Sequence, residues 1–237
     1  MTGTDHKLPQ KSGKAAVDAF LEKVSVTPVT KSAGERGRLI FAMDATASRE
    51  HAWDRACHIQ GEMFRETAAL GGLDIQLCYY RGFGAFKASP WLSSSDELLK
   101  CMTSVSCQGG LTQIEKVLRQ AIEQTKQEKV HALVFVGDCM EENVDQLCQL
   151  AGELSMQGVP VFMFHEGAEP VAQRAFKQIA RLTHGAYCSF DATSAGQLRD
   201  LLRAVAVYAA GGRPALQDFS KDRSEVVRKL TRQLSKD

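Results

Sequence analysis

Five side chains with hard oxygen donors stand directly after apolar runs or in a glycine turn: Asp44, Thr46, Ser48, Thr112 and Asp138. Asp44 closes the run "LIFAM", and Thr46 and Ser48 follow at alternate positions. A chain leaving a strand in extended form turns alternate side chains to one side. These three can therefore face one point, with the small Ala45 and Ala47 turned away. Asp138 closes a second run, "VHALVFVG", and Thr112 lies in the "GGLT" turn that feeds a helical segment. Two carboxylates and three hydroxyls, with no imidazole or thiolate in the set, suit Mg2+ or Mn2+ in octahedral coordination and disfavour zinc or copper.

The surrounding segments would bring these residues together. From Arg38 onward, strand-length apolar runs alternate with longer stretches of helical period, the pattern of a largely parallel sheet covered on both faces. Strands are expected at 38–44, 73–80, 130–138, 159–165 and 185–190, with a short edge strand around Ala85 to Ala88 inside a loop-like 81–95. Helices are expected at 50–72, 96–103, up to about Gln127, 143–158, 171–183 and 194–210, the last ended by Gly211 and Gly212. Ile114, Val117, Leu118, Ala121 and Ile122 line one face of the helix that follows Thr112. The expected fold class is α/β: a six-stranded, mostly parallel sheet with one short antiparallel edge strand and helices on both faces. In such sheets ligands bind beyond the carboxyl ends of the strands, where the order of connections reverses. Asp44, Asp138 and Thr112 all fall on that rim.

The strand-D-x-T-x-S opening at Asp44, the glycine turn carrying Thr112 and the strand-end Asp138 together resemble the metal-ion-dependent adhesion site of von Willebrand factor type A (VWA) domains. The resemblance covers about residues 36–212, and the order of strands and helices fits that Rossmann-like fold. It implies that Thr46, Ser48 and Thr112 supply hydroxyls and that Asp44 and Asp138 hold the ion directly or through water. It also implies an open coordination position, completed in that family by an acidic side chain of a partner protein. Mg2+ dehydrates reluctantly, and a site with only two carboxylates still attracts a third. Two features depart from the pattern. Thr46 stands where Ser is commoner, keeping the hydroxyl but stiffening χ1. Glu141 and Glu142, in "GDCMEE", place further carboxylates near the rim, able to bind the ion themselves or to repel an acidic partner.

Other readings of these residues compete. "DATAS" and "VGDCMEEN" also resemble haloacid dehalogenase-type phosphatases, with Asp44 as nucleophile. That mechanism needs a carboxylate two residues later as general acid and base, and Thr46 occupies the position. A metal-free scaffold is the second alternative, because strand-end Asp and Ser/Thr residues often cap the next helix. No phosphate-binding G-x-x-x-x-G-K-[ST] run, dinucleotide fingerprint or H-E-x-x-H motif is present. His51 and His58 share a helix face without a third ligand. Cys139 reads as a packing residue more readily than as a redox-sensitive thiol beside the metal. Trp91 reads as folded onto the body rather than as an exposed anchor for a partner.

Composition bounds the rest. Hydrophobic residues at 44% and charged residues at 24% are ordinary for a globular chain, and the length of 237 residues suits one domain. Three parts are expected: an N-terminal arm, 1–35, with a short amphipathic helix at 12–24; the VWA-like domain, 36–212; and a basic tail, 213–237, with a helix at 223–234. Residues 1–38 and 213–237 each carry seven Lys/Arg against four Asp/Glu, leaving 15 against 20 between them. Without interleaved aromatic residues, that basic excess is weak support for nucleic-acid binding. The terminal helices are candidates for oligomer contacts. No secretion signal or membrane-length apolar run occurs, and the seven scattered cysteines read as reduced thiols, so the expected location is cytoplasmic. Together these features lead to the expectation of a non-enzymatic, divalent-cation-dependent binder of another protein.

Overall fold

In a computed structural model, the structure describes residues 36–46, 50–190 and 195–221, together with the single position Ala19. Apart from Ala19, the expected helix at 12–24 lies outside the described residues, as do the expected helix at 223–234 and the candidate ligand Ser48. Among the described residues from Arg36 onward, six strands and six α-helices follow in the order β1 (Gly37–Asp44), α1 (Glu50–Thr67), β2 (Leu73–Arg81), β3 (Ala85–Leu92), α2 (Ser95–Thr103), α3 (Ile114–Gln127), β4 (Ala132–Gly137), α4 (Val144–Met156), β5 (Val161–Glu166), α5 (Pro170–Leu182), β6 (Ala186–Phe190) and α6 (Ala195–Lys221).

The sheet order is β3-β2-β1-β4-β5-β6. Every neighbouring pair is parallel except β2 with β3. Each inner strand is apolar on both faces, as a sheet sandwiched between helices requires. Along β1, Leu39, Phe41 and Met43 enter one core, while Ile40 and Ala42 enter the other. The alternation recurs in β4, where Ala132, Val134 and Val136 oppose Leu133 and Phe135. Helices α1, α2 and α6 cover the first face, and α3, α4 and α5 the second.

Two elements run further than their sequence predicts. β3 continues beyond Ala88 to Leu92, through Pro90. Proline is tolerated there because β3 is an edge strand. The register shifts between Gln76 and Cys78, where the Ser89 hydroxyl accepts the Leu77 amide in place of a regular ladder bond. The second difference lies in α6. The helix does break at Gly212, whose φ of 71° and ψ of −164° leave helical space, but a second helical piece follows to Lys221. Leu216 of that piece is buried in the same core as β1, with Ala215 and Phe219 packed beside it.

Candidate metal centre

The sheet's connections reverse direction between β1 and β4: the chain runs outward through β2 and β3, then returns to the other side of β1. The carboxyl ends of β1 and β4 are therefore adjacent without a loop crossing between them. Met43 pairs with Val136, so Asp44 and Asp138 emerge side by side. Asp44 is fully buried, and its Oδ1 accepts the Thr46 amide at 2.7 Å, a local turn that swings the chain out of the strand. One ligand atom from each of Asp44, Asp138 and Cys139 lies within 4.8 Å of the other two.

The rim around this cluster is cross-linked. The Ala45 amide donates to Tyr80 O at 3.0 Å, and Ala45 O accepts the Gln108 amide at 3.0 Å. The Leu111 amide donates to Gly82 O, and a Cβ added at Gly110 would stand 2.0 Å from that same oxygen. Glycine is therefore required at 110 for the "QGGLT" segment to lie on the β2–β3 turn. Phe83 and Leu111, 87% and 52% exposed, carry apolar side chains on these two abutting segments.

Thr112 is positioned by Glu141. The Thr112 amide and hydroxyl both donate to Glu141 Oε2, at 3.0 and 2.8 Å, and the Glu141 amide donates to the Thr112 hydroxyl at 3.1 Å. The other oxygen, Oε1, accepts from the Cys139 thiol at 3.7 Å. Glu142 accepts the Ile114 and Glu115 amides at 2.6 and 2.9 Å. Helix α3 has no side-chain cap of its own at Gln113, so the loop after β4 supplies it with carboxylates at the positive end of the helix dipole. Burial outweighs these donors and holds the Glu142 carboxyl above its usual range. Burial, followed by the charges of Asp138 and Glu141, pushes the Cys139 thiol up.

His165, fully buried on β5, holds the backbone after β4 in place. Its Nε2 lies 3.0 Å from Asp138 O, and its Nδ1 lies 3.0 Å from the Tyr187 hydroxyl. A carbonyl oxygen only accepts, so Nε2 carries a proton, and in the neutral ring Nδ1 then accepts from the Tyr187 hydroxyl. Arg55 of α1 reaches across to Glu166 at 3.0 Å.

Of the five sequence-predicted ligands, Asp44 and Asp138 converge, Thr46 adjoins Asp44, and Thr112 is tied to the cluster through Glu141. Sequence reasoning missed Cys139 as part of the cluster, since a strand-end cysteine ordinarily reads as packing. It also missed His165, whose only signal was a polar residue ending the run "VPVFMFH". His51 and His58 are exposed. Trp91 is folded in: its ring lies under the Arg38 guanidinium, 3.9 Å away, and its indole N–H donates to Gln124.

The donor set fits a divalent cation. Two carboxylates this close repel each other, and a shared dication offsets that repulsion. Donors to one ion are separated by at most about twice a bond of 2.0–2.5 Å, and the ligand atoms of Asp44, Asp138 and Cys139 all lie within 4.8 Å of one another.

No protein-family model matches the chain, and no curated protein matches it in sequence. Among solved structures, it is similar to a von Willebrand factor type A protein from Catenulispora acidiphila, with a TM-score of 0.60 and 13% identity over 73% of this chain and 43% of that one. The fold is VWA-like. The same likeness extends to the SpRpn10 VWA domain, with a TM-score of 0.55 and 14% identity over 75% of this chain and 98% of that domain. A third similar structure is proximal thread matrix protein 1 from the mussel byssus with a zinc-occupied metal-ion-dependent adhesion site. Its TM-score is 0.60, with 12% identity over 76% of this chain and 48% of that one. The chain thus spans less than half the length of the first and third. Among the described residues of this VWA-like fold, no helix is long and apolar enough to cross a membrane.

Proposed function

We propose that this chain is a protein-binding domain that works through a divalent cation held by Asp44, Thr46, Ser48, Thr112 and Asp138, and that it catalyses no reaction. The observation that carries the reading is the convergence of the Asp44 and Asp138 carboxylates, with Cys139, at the switch point between β1 and β4. The cation would supply a Lewis-acidic position for a ligand atom of the partner. The five oxygen donors taken alone suit Mg2+ or Mn2+. The partner is a protein that offers an acidic side chain to the ion and covers the exposed Phe83 and Leu111 beside it. Seven free cysteines fit a reducing, cytoplasmic setting.

Thermal melting of the full chain with and without Mg2+, Mn2+ or Zn2+ tests the reading. A ligand that binds only the native state raises Tm. A rise reversed by EDTA, together with partner capture from lysate that EDTA also abolishes, is the expected result. A Tm unmoved by all three ions would overturn the cation and leave a metal-free scaffold.

A further inference from the structure

We infer that Cys139 is a direct ligand of the cation, and that it turns the preference of the site from Mg2+ towards a thiophilic dication of the zinc class. The inference rests on the cation-dependent reading of this rim and changes which ion that rim selects.

Location sets Cys139 apart from the cysteines that pack. Cys78 and Cys188 are buried in the two cores, and Cys57, Cys101 and Cys107 lie against one of them. Cys139 and Cys148 belong to neither core, and of these two Cys139 stands in the carboxylate cluster. Its sulfur instead faces carboxylates: Asp44 and Asp138 within 4.8 Å and Glu141 at 3.7 Å. A thiol kept for packing gains little from such neighbours. A thiol that completes a metal site needs them, because the carboxylates supply the remaining anionic donors.

The chemistry of the set then decides the ion. Mg2+ takes oxygen ligands almost exclusively, whereas zinc accepts a mixture of cysteine sulfur and carboxylate oxygen in four-coordinate sites. With Cys139 included, Asp44 and Asp138 provide a three-donor face from adjacent strand ends. One further position is left for a hydroxyl, a water or the partner. Glu141 links sulfur and hydroxyl, its Oε1 on Cys139 and its Oε2 on Thr112, so it is placed to orient both.

Cobalt(II) is the probe, because a Co–thiolate bond produces an intense near-ultraviolet charge-transfer band that oxygen ligands do not. The full chain titrated with Co2+ is expected to show that band at one ion per chain. Zn2+ should bleach it, and about a hundredfold excess of Mg2+ should not. Cys139→Ser should lose the band, while Cys148→Ser, a change on α4, should keep it. Loss of outer-shell partners alone costs about 10–100-fold in metal affinity, so Cys139→Ser should weaken Zn2+ binding at least about tenfold while leaving Mg2+ binding nearly unchanged. The wild-type chain gives a second measurement that does not depend on a variant folding: Zn2+ should protect Cys139 from iodoacetamide, mapped by peptide mass, and Mg2+ should not. Calorimetric Co2+ uptake without the band, a band that survives Cys139→Ser, or equal protection by the two ions would overturn the assignment of Cys139 and leave the cation reading standing. No uptake of Co2+, Zn2+, Mn2+ or Mg2+ would remove both.

Discussion

Glu141 and Thr112 hold each other through a reciprocal set of hydrogen bonds, although 29 residues separate them in the chain. The pairing joins the loop after β4 to the turn before α3. It thereby fixes the third segment of the rim relative to the two strand ends that carry Asp44 and Asp138. Breaking it should loosen the rim and destabilise the fold modestly. Hydrogen bonds to a charged acceptor contribute about 1.5–3 kcal/mol when sheltered, so Glu141→Ala on this partly exposed site is expected to cost about 1–2 kcal/mol in urea unfolding. Thr112→Ser keeps the hydroxyl and should lose much less. Equal losses for the two variants would show that the Glu141 carboxylate contributes nothing beyond packing.

Glu142 gives the fold a pH dependence of definite sign. Its carboxyl is held above the usual range, chiefly by burial. The native state therefore binds the proton more tightly than the unfolded chain, and this contribution is complete below the unfolded value. It is lost as pH rises through the unfolded value and then the raised native one. Glu142→Gln stays neutral throughout, so any change in its capping of α3 is a constant offset. Urea midpoints measured from about pH 4.5 to 7 should show wild type losing ground to the variant as pH rises. A difference that stays flat, or moves the other way, would mean that the Ile114 and Glu115 amides dominate over burial.

How far the sequence could be read depended on whether a feature was local. The runs ending in Asp44 and Asp138 were legible because strands buried on both faces must be continuously apolar, and the acid at each end interrupts that pattern. The helix after Thr112 was legible from its single apolar face. β3 was read too short because its continuation to Leu92 passes Pro90 and a register shift against β2, which only the pairing reveals. The capping of α3 was illegible: Gln113 is a poor cap, and the carboxylates that replace it come from another loop. Cys139 was misread for a similar reason. Next to an apolar run, a cysteine looks like core, and only the parallel pairing of β1 with β4 shows that Asp44 stands across from it.

The segment after Gly212 should behave as part of the domain. Leu216 is buried against the same core as β1, so Leu216→Ala is expected to cost about 2–4 kcal/mol by lost burial and the cavity left behind. Met156→Ala, a change at an exposed position, should leave the urea midpoint unchanged. If Leu216→Ala were equally silent, the helical piece to Lys221 would be an appendage, and the domain would close at Gly212.

Asp44→Asn should move stability in opposite directions with and without metal. At an effective dielectric of about 20, two unit charges roughly 5 Å apart repel by about 3 kcal/mol before screening by solvent and salt, the order of magnitude that applies to this pair. The amide keeps an oxygen for the Thr46 N–H that Asp44 Oδ1 now accepts, so the turn after β1 has no reason to open. Without metal, the variant should therefore melt at or above the wild-type temperature. With a stabilising cation at about a hundred times its Kd, wild type should gain about 2.7 kcal/mol, or roughly 5–10 °C for a domain of this size, and the variant almost none. The crossing of the two melting curves is the diagnostic feature. A residue kept only to cap the turn, a role the amide also fills, would leave the variant close to wild type under both conditions, whereas a residue kept for a cation costs the empty fold stability that binding restores. A variant that is destabilised without metal and still responds to the ion would remove Asp44 from the ligand set.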